Sequence, residues 1–404
     1  YNLDNVIIGG DTIKKTDFIQ QRWLDNDFIG MAFSIVQPEI HKLQFTFGGA
    51  VNKYLGYHFG KVIWAKYASN SNINYEWYRG KGNKTDANLY VKTKWEIINH
   101  LYTYVDIQAR TIYYEIKGID KDFRDITQNH EFMFFNPKLG AVYQINTNQK
   151  TYISFAVGNR EPSRKTLVDA NPLAPKPQPE QLFDYELGYE YRNSKYLAGL
   201  NLYMMNYHNQ LVMTGEINDV GEPVLTNVPT SYRRGIEVIW GAKVLNTLTL
   251  SGNAGFSINK IKGFTEYVDD WDNWGTQRKN YLGTTDISFS PPIVLSNIIS
   301  WEPFKNINLS LATKYVSKQY IDNTSNDDRV LDPYLVNNLY LSYIINTNLF
   351  KEAQLKFNLI NIFNVMYETN AWVYRYYYNN KEENLNGYFP QAGRHFLIGI
   401  DIKI

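Results

Sequence analysis

The side chains capable of catalysis are present but scattered. The six histidines, His41, His58, His100, His130, His208 and His395, form no His-x-x-x-His pair and no Glu-x-x-His set, so no helix face offers two imidazoles to a metal. No Gly-x-Ser-x-Gly elbow occurs. The chain has no Cys, which removes thiolate zinc sites, Cys nucleophiles and structural disulfides together. These residues assign no catalytic group, no metal ligand and no cofactor, and the protein reads as a non-enzyme.

Recognition chemistry is easier to find. Two acidic segments, Asp269–Tyr281 and Asp322–Asp332, cluster oxygens that could meet calcium or a ligand; neither has the twelve-residue EF-hand spacing, and turn-forming Asp and Asn in a solvated loop give the simpler account. Arg160, Glu161 and Arg164 precede the proline-rich Pro172–Pro179, a stiff loop suited either to substrate contact or to pairing Arg160 with an internal carboxylate. Trp271, Trp274, Trp372, Tyr374, Tyr376, Tyr377 and Tyr378 crowd stretches where loops are expected. Such rings suit a membrane-interface girdle, or a platform on which a flat or sugar-like ligand stacks. The candidate substrate-binding residues are Arg160, Arg164, Trp271, Trp274, Trp372, Tyr374 and Tyr376.

The elements that position them are strands. From Asp184 to Arg192, Tyr185, Leu187, Tyr189 and Tyr191 take one face, while Asp184, Glu186, Gly188, Glu190 and Arg192 take the other, a period of two. The same alternation predicts fifteen strands, at about 27–36, 43–54, 87–98, 102–117, 136–145, 150–161, 182–192, 196–212, 232–244, 247–262, 284–302, 307–320, 334–346, 353–365 and 389–404. Short connections (Gln37–Lys42, Asn99–Leu101, Asn146–Gln149, Asn193–Lys195, Leu245–Asn246, Glu302–Asn306, Asn346–Glu352) alternate with long ones near 55–86, 118–135, 162–181, 213–231, 263–283, 321–333 and 366–388. Short turns at one end and long loops at the other are the pattern of an outer-membrane barrel.

Composition agrees. Aromatic residues make up 16% of the 404, and a formal net charge of +1 gives no field to attract nucleic acid. No apolar run approaches a transmembrane helix, which leaves a barrel of alternating strands open. A large soluble β-protein binding carbohydrate is the plainer alternative, and a passive porin or adhesin barrel is another.

"FNLINIFNVMY" (Phe357–Tyr367), followed after a long loop by "YFPQAGRHFLIGIDIKI" (Tyr388–Ile404), resembles the closing two strands of a TonB-dependent outer-membrane receptor. "FAVGNREPSRKTLVDANPLAPKPQPEQLFDYELGYEYRN" and "YRRGIEV" resemble that family's Arg-x-Pro loop entry and its Tyr-Glu-Leu-Gly and Arg-Gly-Ile-Glu strands. The resemblance implies an all-β, antiparallel transmembrane β-barrel, with the fifteen strands matching strands eight to twenty-two of an expected 22. Residues 1–404 would then be the C-terminal portion of the barrel, belonging to a longer chain that supplies an N-terminal plug with its TonB box and the first strands. It further implies residence in a Gram-negative outer membrane, in contact with its lipid. The expected role is uptake of a scarce small-molecule or oligomeric nutrient, an iron–siderophore complex before others, driven by the inner-membrane TonB complex. One departure is the terminal Ile404, where many such barrels end in Phe.

Overall fold

A computed structural model describes residues 3–13, 15–170, 176–217, 221, 223–345 and 350–403. Two compact units are distinguished: residues 1–94 with 105–137, and residues 95–104 with 138–404.

The first unit begins with a small hairpin, β1 (Val6–Ile8) and β2 (Asp11–Ile13). Its turn is Gly9–Gly10, both at positive φ (62° and 92°), as the two central residues of a type I′ turn require. β3 (Phe18–Val36) pairs along its whole length with β4 (Leu43–Ala65), and β5 (Tyr75–Ile98), β6 (Leu101–Gly118) and β7 (Gln128–Asn146) follow in chain order. Cross-strand polar pairs such as Arg110–Asp86 (2.6 Å) tie neighbouring strands on one face.

The second unit takes the far ends of β5 to β7 and everything after them. β8 (Gln149–Arg160), a one-turn helix α1 (Arg164–Val168), β9 (Glu180–Arg192), β10 (Tyr196–Ile217), β11 (Pro223–Leu245) and β12 (Leu248–Asp270) run antiparallel in order. β12 then serves two partners: its outer half pairs with β13 (Thr276–Asp286) and its inner half with β14 (Ile293–Phe304). β15 (Ile307–Val316), the short pair β16 (Gln319–Tyr320) and β17 (Val330–Leu331), β18 (Tyr334–Ile345) and β19 (Glu352–Ile360) follow. The hairpin of β20 (Glu368–Tyr378) and β21 (Lys381–Pro390) interrupts the order before β22 (His395–Lys403) pairs back onto β19.

Register turns the period-two sequence into two chemically opposite faces. One row across neighbouring strands reads Ile153, Leu187, Leu202, Ile236, Phe256, Ile293. The row displaced by one residue reads Tyr152, Gly188, Asn201, Glu237, Gly255. The apolar row is the exposed one: Ile153 is 58% and Leu187 50% exposed. On the polar face the Tyr152 hydroxyl donates to Asn201 Oδ1 at 3.1 Å, and Asn201 Nδ2 donates to Glu237 Oε2 at 3.4 Å. Gly188 makes room there, since a Cβ at that position would stand 2.1 Å from the Tyr152 ring. A water-soluble sheet puts its apolar face inside; this one presents it outward in a continuous band.

Each of the fifteen predicted strands overlaps an observed one, although 361–365 and 391–394 are not strand, and the all-β antiparallel class holds. Their outer ends differ. β4 and β5 have 23 and 24 residues, so much of the expected long loop at 55–86 is strand. Outside an apolar slab a strand needs only backbone partners, and segments such as Glu76–Asp86 are held by polar side chains, with Arg79 on Glu76 at 2.6 Å and over the Phe59 ring at 4.2 Å. The predicted strand 284–302 is broken at residues 287–292, where Pro291 and Pro292 have no N–H to give. The expected loop 366–388 is mostly the β20–β21 hairpin. Ile404 and most of the turn Asn346–Glu352 lie outside the described residues.

Candidate functional site

The long-connection end of the second unit carries the aromatic candidates, and the reason is local. In "AWVYRYYY" the alternation of β20 sends Trp372, Tyr374 and Tyr376 to one side and Ala371, Val373 and Arg375 to the other, where Ala371 and Val373 are buried. At its tip β20 runs parallel to the end of β12 (Asp269 beside Tyr376, Asp270 beside Tyr377), and the Trp271 amide donates to the Tyr377 carbonyl at 2.9 Å.

That contact brings four of the seven candidates together. Trp271 stacks on Tyr376 with ring centroids 4.0 Å apart and planes 20° from parallel; Tyr374 and Trp274 lie at 6.3 and 6.4 Å from Trp271. Trp271 Nε1 donates to the Tyr374 hydroxyl at 3.2 Å, and that hydroxyl donates to Asp269 Oδ2 at 3.0 Å. Burial pushes the Tyr374 phenol up to about 12, so it stays a neutral donor. Trp274, at 84% exposed, is the open edge of the group. Trp372 sits two residues back along the same side of β20, its ring over Gly387 of β21.

The two arginine candidates lie elsewhere. Arg160 forms a cross-strand ion pair with Glu180 at 2.9 Å, and Glu180 also accepts the Leu211 amide at 2.9 Å. Arg164 belongs to α1, its Nε buried without a hydrogen-bond partner. The loop beyond α1 is tied down by Gln178 and Asn227, which exchange two hydrogen bonds of 2.8 and 3.0 Å. Of the proline-rich stretch, residues 172–175 lie outside the described residues.

Several acids of the two predicted acidic segments are engaged within the protein, by their own loops or by the β20–β21 hairpin. Asp270 accepts from Arg278 Nε at 2.9 Å, and that guanidinium holds its carboxyl down to about 2. Asp272 accepts the Asn379 and Asn380 amides at 2.7 and 2.8 Å, tying the β12–β13 tip to the β20–β21 tip. Asp322 pairs with the buried Arg329 at 2.7 Å.

A second group behind the aromatic surface escapes a reading of the sequence. Arg375 contacts Glu266 and lies 2.6 Å from Glu382; the side chains of Arg375 and Glu266 are only 11% and 9% exposed. Burial works against that charge, but the hydrogen bonds that the guanidinium donates to both carboxylates outweigh it and hold the Arg375 pKa above its ordinary value. Beside this group is a cavity of about 410 Å³, bounded by the outer ends of β10, β11, β12 and β20, the Lys176–Gln178 loop and residues 322–324. Glu216, Glu266, Gln277 and Arg375 supply its polar lining, and Val228, Phe264, Val268 and Val373 its apolar walls. The only sequence signal for it was Arg375 itself, a lone charge in an aromatic run.

Comparison with known proteins bears on this arrangement. A family described as TonB dependent receptor-like, beta-barrel matches residues 3–365. Comparison of the sequence with curated proteins returns no match. Among solved structures, the ferric-catecholate import receptor Fiu from E. coli K12 is similar at a TM-score of 0.67 and 13% identity, over 93% of this chain and 54% of that one. The siderophore receptor PiuA from Acinetobacter baumannii is similar at 0.68 and 11%, over 93% and 56%. The copper transporter OprC is similar at 0.69 and 13%, over 95% and 57%. The chain thus spans a little over half the length of these structures.

Proposed function

Because this chain belongs to the TonB-dependent receptor family, of which it carries β-barrel sequence, we propose that it is the barrel part of an outer-membrane receptor that captures a scarce nutrient and imports it with TonB-supplied energy. A family of receptors also fits a sequence with no catalytic spacing. The observation that carries the proposal is the inverted sheet: the Ile153–Leu187–Leu202–Ile236–Phe256 row faces outward, where a bilayer would cover it, and polar residues take the other face. Transmembrane strands need only about 9–11 residues, so the outer halves of strands twice that length project beyond the membrane.

Cargo first meets the Trp271, Trp274, Tyr374 and Tyr376 surface, with Trp372 below it. Large rigid rings give contact area at small entropic cost. Arg160 and Arg164 contribute at the α1 side of the mouth. An iron–siderophore complex is the leading cargo, supported by the ferric-catecholate and siderophore receptors among its structural relatives; the copper transporter among them marks the range to be tested. In this reading TonB contact is made by a plug domain and not by the barrel strands.

The test is accumulation of radiolabelled ferric siderophores by cells with and without the gene, and with and without the TonB complex. TonB-dependent accumulation that vanishes with the gene is expected. Accumulation unaffected by TonB removal favours a passive barrel, and recovery of the protein in the soluble fraction ends the membrane reading.

A further inference from the structure

We infer that the cavity behind the aromatic surface is a recognition site for an organic cation, a primary amine or amidine carried by the cargo or by a separate small molecule. The inference rests on the receptor reading and gives its mouth a chemical preference.

The observations are those of charge and hydrogen-bond sense. The charged groups around Glu216 of β10 are Glu266 and Asp269 of β12, Arg375 of β20, Asp322 of the β16–β17 connection and Lys176 of the loop after α1; β11 and β13 contribute the uncharged Thr226, Asn227 and Gln277. Arg375 is already committed to Glu266 and Glu382, and Asp322 to Arg329. Among the described residues the donors to Asp269 are neutral, the Tyr374 hydroxyl at 3.0 Å and Gln277 Nε2 at 2.9 Å. Four acids, Glu216, Glu266, Asp269 and Asp322, thus face two cations, Lys176 and Arg375, with Glu382 and Arg329 adding one charge of each sign, and Arg375 is divided between Glu266 and Glu382.

Acceptors dominate as well. Gln277, a lining residue, spends its amide N–H on Asp269, and its buried Oε1 has no hydrogen-bond partner among the described residues. Burial, with the charge of Asp269 adding and that of Arg375 opposing, pushes Glu216 up to about 7, the response of an acid that lacks a sufficient counter-charge. The cavity selects an organic guest over a bare metal ion, because among the described residues no three His, Asp or Glu side chains converge as metal ligands, while Val228, Phe264, Val268 and Val373 would cover an alkyl or aryl stem.

The test uses the full chain purified in detergent, titrated calorimetrically with 1,5-diaminopentane and with the neutral 1,5-pentanediol at pH 6 and pH 8. The diamine remains charged throughout, so its affinity follows the ionisation of Glu216: with a pKa of about 7, roughly a tenfold gain from pH 6 to pH 8 is expected. The diol should bind at least tenfold more weakly than the diamine at pH 8. Glu216→Gln should weaken the diamine at pH 8 and flatten the pH dependence, with retained heat-modifiable mobility on a gel showing that the barrel is folded. Equal binding of diamine and diol, or no diamine binding by the folded wild-type protein, overturns the inference. Intact TonB-dependent uptake with either result leaves the receptor reading standing, and loss of TonB dependence with diamine selectivity retained counts against that reading alone.

Discussion

Replacing Arg375 with Met strands the buried carboxylate of Glu266 and should unclasp the β12–β13 and β20–β21 hairpins. Glu266 is buried and loses its guanidinium, keeping only the Asn280 amide at 3.0 Å; Glu382 retains Arg329 at 3.5 Å. Removing one partner of a buried pair typically costs about 3–5 kcal/mol, because the remaining charge is left without compensation. Here the cost is relieved by opening of the hairpins, which hydrates Glu266. At about 1.4 kcal/mol per factor of ten, opening should become roughly a hundredfold to a few thousandfold more frequent. Amide hydrogen exchange reads this directly at Trp271, which donates to the Tyr377 carbonyl, and at Asn379 and Asn380, which donate to Asp272. Strand amides on β9 to β11 near Leu187 should be unaffected. Adding Glu266→Leu to the Met variant removes both members of the pair and should return much of the protection. Unchanged exchange in the single variant refutes the claim that Arg375 holds the hairpins. A double variant as labile as the single one shows that the cost came from lost packing rather than from a stranded charge.

Further outcomes follow from the same structure. Glu216 has its pKa raised from 4.5 to about 7, so the closed form keeps a proton that the open form gives up; protection of the loops should be greatest below about pH 4.5, decline as pH rises to about 7 and level off above it, and Glu216→Gln should abolish that slope. Asp270 is shifted the other way, from 3.8 to about 2, so its contribution is intact above pH 4 and lost as pH falls towards 2, which exchange at the β12–β13 tip should follow. Leu187→Arg puts a cation in the middle of the outward apolar row and should cost about 2–4 kcal/mol, seen as loss of heat-modifiable, membrane-assembled protein, whereas Glu186→Gln on the opposite face should assemble. Trp271→Ala removes the Tyr376 stack, worth about 0.5–1.5 kcal/mol beyond buried area, and should weaken siderophore binding; Trp274→Ala should weaken binding without changing loop exchange, since its ring is largely exposed.

The sequence declared its strands wherever one face had to be apolar. Tyr185, Leu187 and Tyr189 alternate with Glu186, Gly188 and Glu190 because a wrong register would turn a charged row outward, so the pattern is enforced residue by residue. Nothing enforces it past the apolar band. Along Thr226 to Thr230 or Gly263 to Asp270 the strands are held by the backbone ladder and by individual side-chain pairs such as Asp270–Arg278 and Glu266–Arg375, which follow no apolar alternation, and such stretches read as loops. The candidate site was half legible for the same reason. Rings at positions 271, 274, 374 and 376 stand out by type, and their excess over the needs of a core identifies a surface. That Trp271 stacks on Tyr376 depends on β12 and β20 meeting in parallel across more than 100 residues of sequence, a pairing that neither segment encodes alone. Arg375 shows the limit most sharply: in the sequence it is one charge diluted by tyrosines, and only alternation along β20 turns it away from them towards Glu266 and Glu382. The aromatic surface and the charged cavity are therefore two sides of one strand, so a ligand drawn to the rings on one side bears on the strand whose other side holds the buried ion pair. If cargo binding shifts the hairpins, slowed exchange at Asn379 and Asn380 on siderophore addition is the expected signature; exchange that stays unchanged at saturating siderophore separates the two sides of β20 and refutes the coupling.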